Sequence, residues 1–237
     1  MSGREGTVFI LTNDAMPGFS RVDYTTGDDL GSKISRVNKS ALPVPFRLYF
    51  AAKVPDVKLV DRNLHYLFAD YCDARDAQFF KINPDMLRAA IELAAISVIQ
   101  VSDKEQGISA FDRAQMDRLR TAHDNVRFEA LNAEAGTELY FSRDRTITCT
   151  ALGNGLVEFD GTAMSPAEAS ASAMRAIGFD WAEVSSVDYW LSQGDPAARK
   201  ARGDVIPPDV DHGMPEVPIV PNDADDSPVM FIRSKSS

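Results

Sequence analysis

The sequence holds few of the residues that build chemistry by themselves. Its 237 residues include two cysteines and three histidines. Cys72 and Cys149 lie far apart and no Cys-x-x-Cys occurs, which argues against a disulfide framework and against a cysteine zinc site. His65, His123 and His212 are spread along the chain, so a multi-histidine metal cluster is not expected. A Walker loop, Gly-x-Gly-x-x-Gly and Gly-x-Ser-x-Gly are all missing, and with them the common nucleotide-binding and hydrolase devices. Long apolar runs are missing too. The longest, Ala89 to Ile99, is interrupted by Glu92 and Ser97 and is too short to span a bilayer. Met1 to Gly6 contains no apolar stretch, which predicts no secretory leader, a reduced cytoplasmic setting and no membrane partner.

What the chain does have is charge, unevenly placed. The formal net charge is −10, from 35 acids and 25 bases, which argues against a polyanion binder that uses its whole surface. Residues 1–100 are balanced, with twelve of each sign, whereas 101–194 carry fifteen acids against eight bases and 195–237 eight against five. The acidity therefore belongs to the second half, and the first hundred residues stay open to nucleic acid. The length itself predicts one or two domains.

Patterning divides the chain. Thr7–Leu11 is a short apolar run closed by the turn Asn13–Gly18, and Phe19–Thr25 alternates as its hairpin partner. Asp28–Asn38 has an acidic N-cap and helical spacing. Pro45–Ala52 reads as a third strand. Asp56 caps a helix whose apolar stripe is Val57, Val60, Leu64, Leu67 and Phe68. Phe79–Ile82 is a short strand, and Asn83-Pro84 opens a helix expected over Met86–Val98. A polar stretch with one amphipathic helix, Phe111–Ala122, leads to strands at Thr137–Phe141, Thr146–Ala151 and Leu156–Asp160. Asn154-Gly155 marks a hairpin. Ser165-Pro166-Ala167-Glu168 is a capping box for a helix over Pro166–Ile177, with a face of small residues suited to a sheet. Trp181, Tyr189 and Trp190 are expected core aromatics. Residues 195–237 hold seven of thirteen prolines and one aromatic, Phe231. That composition predicts a disordered tail with an apolar patch at Pro228–Arg233, either idle or a docking segment.

The first block resembles the GIY-YIG nuclease superfamily, in its phage-associated branch. The resemblance rests on Gly6–Asn13, Met16-Pro17-Gly18, Tyr24-Thr25-Thr26, Val44-Pro45-Phe46, Leu64-His65 and Phe79–Ile82, in that order over residues 6–95. It implies phosphodiester cleavage in which a first-strand tyrosine assists water, a helical arginine supports the phosphate and a helical glutamate holds a divalent ion. Those positions carry Phe9, Lys33 (with Arg36 one turn away) and Asp61 here, and Asp23 stands where the family has a glycine. A family glutamate before the Phe-Phe pair is Gln78, while His65 is retained. Lysine keeps the charge without the bidentate fork. Aspartate is shorter by one methylene, roughly 1.3–1.5 Å of reach, and a misplacement of about 1 Å can cost on the order of 100-fold. If the domain cuts, the resemblance assigns Mg²⁺ or Mn²⁺ to Asp61, the phosphate to Lys33 or Arg36, and the water to His65 or Tyr24. Arg21, Lys39 and Arg47 are further phosphate candidates.

The second block resembles the small domain associated with restriction enzymes and adenine methylases. It is carried by Gly136–Phe141, Thr146–Ala151, Val157–Gly161, Ser165–Ala173 and Tyr189-Trp190, within residues 128–193. The resemblance implies a role near DNA in restriction, phage or genome-defence settings. It brings no nucleophile–base pair. Arg143 and Arg145 flank a turn and are its phosphate candidates, whereas the helix N-terminus at Ser165 is expected to be a purely structural cap. The expected architecture is α+β: a GIY-YIG-like small antiparallel sheet with flanking helices over 1–100, a helical linker over 101–127, a second small α+β domain over 128–194, and the tail. Two functions follow. One is a DNA-acting nuclease relative whose cleavage is weakened or lost. The other is a non-catalytic adaptor for DNA or for a protein that meets the acidic half or the tail. An acidic DNA-mimic decoy is a third possibility.

Overall fold

Val8, Phe9, Ile10 and Leu11 are consecutive and all fully buried, so the strand that carries them must be covered on both faces. In the computed structural model, which describes residues 4–39, 43–131, 133–181, 184 and 189–192, that strand is β1 (Gly6–Thr12). It is the middle of a five-stranded antiparallel sheet. Its neighbours are β2 (Ser20–Thr25) and β3 (Arg47–Val54), and the outer strands are β4 (Phe79–Phe80) beyond β2 and β5 (Ser97–Val98) beyond β3.

One face packs Phe9, Leu11 and Ala51 against Leu30 and Ile34 of helix α1 (Leu30–Asn38). The other packs Val8, Ile10, Phe50 and Ala52 against helices α2 (Val57–Leu67) and α3 (Pro84–Glu92) through Val57, Val60, Leu64, Leu87 and Ile91. The helix starts follow their caps: Asp29, Asp56 and Asn83 each accept a backbone N–H from the first turn. Gly6 sits where α2 crosses the start of the sheet. A Cβ there would overlap the Thr25 carbonyl oxygen and meet Val57 Cγ1 at 3.0 Å.

Helix α4 (Asp103–Gln106) packs on α1, and α5 (Ala110–Ala130) leads to the second sheet. This sheet is also five-stranded and antiparallel. Its strands are β6 (Glu138–Phe141), β7 (Thr148–Ala151), β8 (Val157–Phe159), β9 (Thr162–Met164) and β10 (Trp190–Leu191), in the order β10-β6-β7-β8-β9. Helix α6 (Pro166–Ala176) lays the small face of Ala169, Ser170 and Ala173 against it. Trp181, Tyr189 and Trp190 are core aromatics, as their composition suggests. The Ser165 box is complete: Glu168 accepts from the Ser165 N–H at 2.9 Å while Ser165 Oγ accepts from the Glu168 N–H at 3.3 Å. That uses the helix's first donors for a structural cap.

The architecture is thus α+β with two small antiparallel sheets. Most expected elements lie within two residues of their expected bounds, and three departures are larger. Helix α3 stops at Glu92, and Ser97-Val98, expected within it, pair instead with Lys53 and Ala52 as an edge strand. Helix α5 runs eight residues past Ala122. Leu67, placed on the apolar stripe of α2, is exposed. The tail from residue 195, including Pro228–Arg233, lies outside the described residues.

The two sheets are joined by a buried polar cluster. Asp85, 2% exposed at the start of α3, accepts hydrogen bonds from the Tyr49 hydroxyl of β3 and, at 2.7 Å, from the Tyr189 hydroxyl beside β10. Burial, reinforced by the Asp85 charge, pushes both tyrosine hydroxyls above their ordinary pKa. One turn on, the Arg88 guanidinium lies between the rings of Phe50 (4.8 Å) and Trp181 (4.6 Å). Glu92 closes the cluster, pairing with Arg88 at 2.9 Å and accepting the Trp181 indole N–H at 3.1 Å.

Candidate functional site

Strand β4 meets β2 at Ser20 and Arg21, with one further bond from the Val22 N–H to the Gln78 carbonyl, and bridges Cys72 on its other side. Among the described residues no strand pairs with the rest of β2, Asp23 to Thr25, on that side, where the Tyr24 N–H donates to Asp23 Oδ1. Elements from both faces of the sheet converge on this edge. From the α1 face comes Lys33, whose ammonium donates to Asp23 Oδ1 at 2.7 Å and to the Tyr24 carbonyl oxygen. The same ammonium lies 5.5 Å from the Phe9 ring centroid and 5.8 Å from that of Tyr24. Phe9 cannot assist water, but its ring is a platform for the Lys33 charge. Phe9 and Asp23 are directly paired across β1 and β2, which explains how the carboxylate reaches the same spot.

From the α2 face comes Asp61. Burial lifts its carboxyl above the ordinary carboxylate range; His65 and Lys33 draw it down and Asp23 lifts it further. The Tyr24 hydroxyl is raised for the same reasons, first burial and then the Asp61 and Asp23 charges. Tyr24, Asp23, Lys33, Asp61 and, through Asp61, His65 thus share one electrostatic neighbourhood, whereas Phe9 is fully buried beneath the Lys33 ammonium and contributes no open surface. The member that spacing did not reveal is Asp23 as the partner of Lys33. The available signal was the simultaneous appearance of an acid and a changed base at two linked positions.

His65 is held on both sides. Its Nδ1 is 2.9 Å from the Asp61 carbonyl oxygen and its Nε2 is 2.9 Å from that of Ala77. The ring also meets Phe80 edge-on at 5.1 Å. Both nitrogens face the protein's own carbonyls, so the ring ties α2 to the loop before β4. The Asp61 carboxylate, 3.7 Å from Nδ1, makes no hydrogen bond to another described side chain.

Of the remaining candidates Arg21 belongs to the same edge, 4.0 Å from the Asp23 carboxylate, and the others are scattered. Arg21 stacks between Phe46 (5.8 Å) and Phe79 (5.6 Å) and donates to Gln78 Oε1 at 2.6 Å. Arg36 is exposed and donates to the Ser32 carbonyl within α1. Lys39 is exposed just past α1. Arg47 is buried at the start of β3, beside Asp14. Arg143 and Arg145 belong to the second sheet, on the turn between β6 and β7, with the Arg143 guanidinium 5.7 Å from the Tyr189 ring centroid.

Among the described residues no three His, Cys, Asp or Glu side chains form a metal-holding group. Mg²⁺ needs less, because it binds through one or two carboxylates and completes its shell with water and phosphate. Asp61, a hard oxygen donor with no side-chain hydrogen bond, fits as that single protein ligand; Asp23 is already held by Lys33.

The Asp61 environment has a measurable consequence. A carboxyl whose pKa is raised by folding stabilises the fold when protonated, below its unfolded pKa, and loses that contribution as pH rises through the folded value. Asp61→Asn is therefore expected to raise the melting temperature at pH 7, with the gain closing as pH falls to about 4, the unfolded value. Thermal unfolding at a series of pH values reads this out; equal melting temperatures at pH 7 would show that Asp61 bears no cost of burial.

No family model, no curated protein and no solved structure matches this chain. No helix among the described residues is long and apolar enough to cross a membrane.

Proposed function

We propose that this chain is a DNA-acting protein of the GIY-YIG nuclease type in which strand cleavage is weakened or lost. The observation that carries this reading is the 2.7 Å ion pair between Lys33 and Asp23. Phosphoryl transfer needs a cation free to meet the charge that develops on phosphate oxygens. Here the Lys33 ammonium is neutralised by Asp23, the Arg21 guanidinium 4.0 Å from that carboxylate is held by Gln78, and Asp61 adds a further negative charge close by. Phe9 offers no hydroxyl, and both His65 nitrogens face backbone carbonyl oxygens. Asp61 remains able to hold Mg²⁺ or Mn²⁺, which when bound would supply Lewis acidity to the leaving oxygen. What is left is a site that can meet a divalent ion and nucleic acid without efficient cutting.

A supercoiled-plasmid nicking assay with Mg²⁺ and with Mn²⁺ tests this. The native chain is expected to leave the plasmid supercoiled. The combined reversal Phe9→Tyr, Asp23→Gly, Lys33→Arg and Asp61→Glu is expected to yield nicked circles. Lys33→Arg alone is not, since Asp23 would still hold the guanidinium. Robust cutting by the native chain that disappears in Asp61→Ala would overturn the reading.

A further inference from the structure

The outer face of α2 carries an unpartnered strip of cations and an aromatic ring. Lys58, Arg62 and Tyr66 follow one another at i, i+4 and i+8, so they share a line along the helix. Asp61 and His65 form the adjacent line, the one turned to the β2 edge. Tyr66 is 84% exposed and Leu67 62%. Neither Lys58 nor Arg62 makes an ion pair or a side-chain hydrogen bond with another described residue. Just past the helix, Tyr71 and Lys81 line an open depression of about 690 Å³. The acids there are Asp70 and Asp73, and Asp73 is already paired with Arg75 at 3.1 Å.

A tyrosine left this open beside two free cations, in a chain of net charge −10, is a local reversal of the chain's overall electrostatics. It lacks the continuous apolar groove that an amphipathic helix would need. It has the two parts that single strands use: a ring on which a base can stack, and cations that follow the backbone. A duplex hides its base faces and would leave the ring unused.

We propose that this face of α2 binds single-stranded nucleic acid, with a base stacked on Tyr66 and phosphates meeting Lys58 and Arg62. The inference rests on the preceding reading only for the choice of nucleic acid as partner. A strand held there would pass directly beside Asp61.

The test is fluorescence anisotropy of the full chain with an end-labelled mixed-sequence 15-mer in EDTA, as single-stranded DNA, as the RNA of the same sequence and as the blunt DNA duplex, between 50 and 200 mM salt. Either single strand is expected to bind more tightly than the duplex, and the RNA arm tells which is preferred. Tyr66→Ala should weaken single-strand binding by about ten-fold, and Tyr66→Trp should restore it. Lys58→Glu with Arg62→Glu should weaken it further and reduce the slope of log affinity against log salt by about 1.4. All these side chains are exposed, so unchanged thermal unfolding verifies that each variant is folded. Absence of single-strand binding, a duplex bound as tightly, or variants equal to the native chain would each overturn the proposal. Plasmid nicking by the native chain would instead overturn the loss of cleavage and leave this surface standing.

Discussion

Asp85→Ala is expected to lower stability by about 2–6 kcal/mol, the cost of leaving two tyrosine hydroxyls without their acceptor. The Asp85 carboxylate is where the two sheets meet, and it takes the hydroxyls of Tyr49 and Tyr189. Tyr189 is fully buried, so its hydroxyl cannot turn to water when the acceptor goes. A buried unsatisfied polar group costs about 1–3 kcal/mol, and two lose their acceptor at once. Tyr189→Phe removes donor and demand together and should cost less, about 1 kcal/mol. Urea unfolding resolves the pair: a lower midpoint at an unchanged m-value assigns the loss to stability. If Asp85→Ala falls within about 1 kcal/mol of the native chain, the cluster is not what holds the sheets together.

Gly6→Ala is the second large effect, expected at about 3 kcal/mol, the upper part of the range for overpacking. The new methyl group would run into the Thr25 carbonyl oxygen, which is backbone and cannot rotate away. Relief needs β1 to part from β2 at Thr7↔Thr25, or α2 to lift from the sheet at Val57. For a chain of this size the loss corresponds to a melting temperature lower by roughly 6–12 °C. Adding Val57→Ala should recover little, because it clears the side-chain contact and leaves the carbonyl one. A melting temperature within about 2 °C of the native value would show that the strand start yields without cost.

Local chemistry made the helix starts readable in the sequence. Asp56, Asn83-Pro84 and the Ser165–Glu168 box each satisfy donors within a few residues, and short-range rules describe such bonds well. The central strands were readable because a fully apolar run at Val8–Leu11 has one use in a small sheet. The run from Ala89 to Ile99 was ambiguous by nature. Apolar residues without a clear period suit a helix or a strand, and the pairing of Ser97-Val98 with β3 decided it. Strands β9 and β10 are too short to show alternation.

At the candidate site, the sequence singled out Tyr24, Lys33, Asp61 and His65 one by one, and the fold brings them near the β2 edge. The Lys33–Asp23 pair was not readable from helix spacing. The two residues are ten apart and meet only because a strand and a helix fold onto one another. The role of Asp85 was hidden for the same reason: one of its partners lies 104 residues away.

That separation has a consequence for synthesis. At about 5–20 residues per second, the ribosome needs roughly 5–20 s after making Asp85 before Tyr189 exists. Through that interval the first sheet can pair its strands, because β1 to β5 all precede residue 100. Asp85, Arg88 and Phe50 meanwhile face water on the side where Trp181 and Tyr189 will dock. The emerging chain thus presents an aromatic and charged seam that stays open until Trp181 and Tyr189 arrive to cover it.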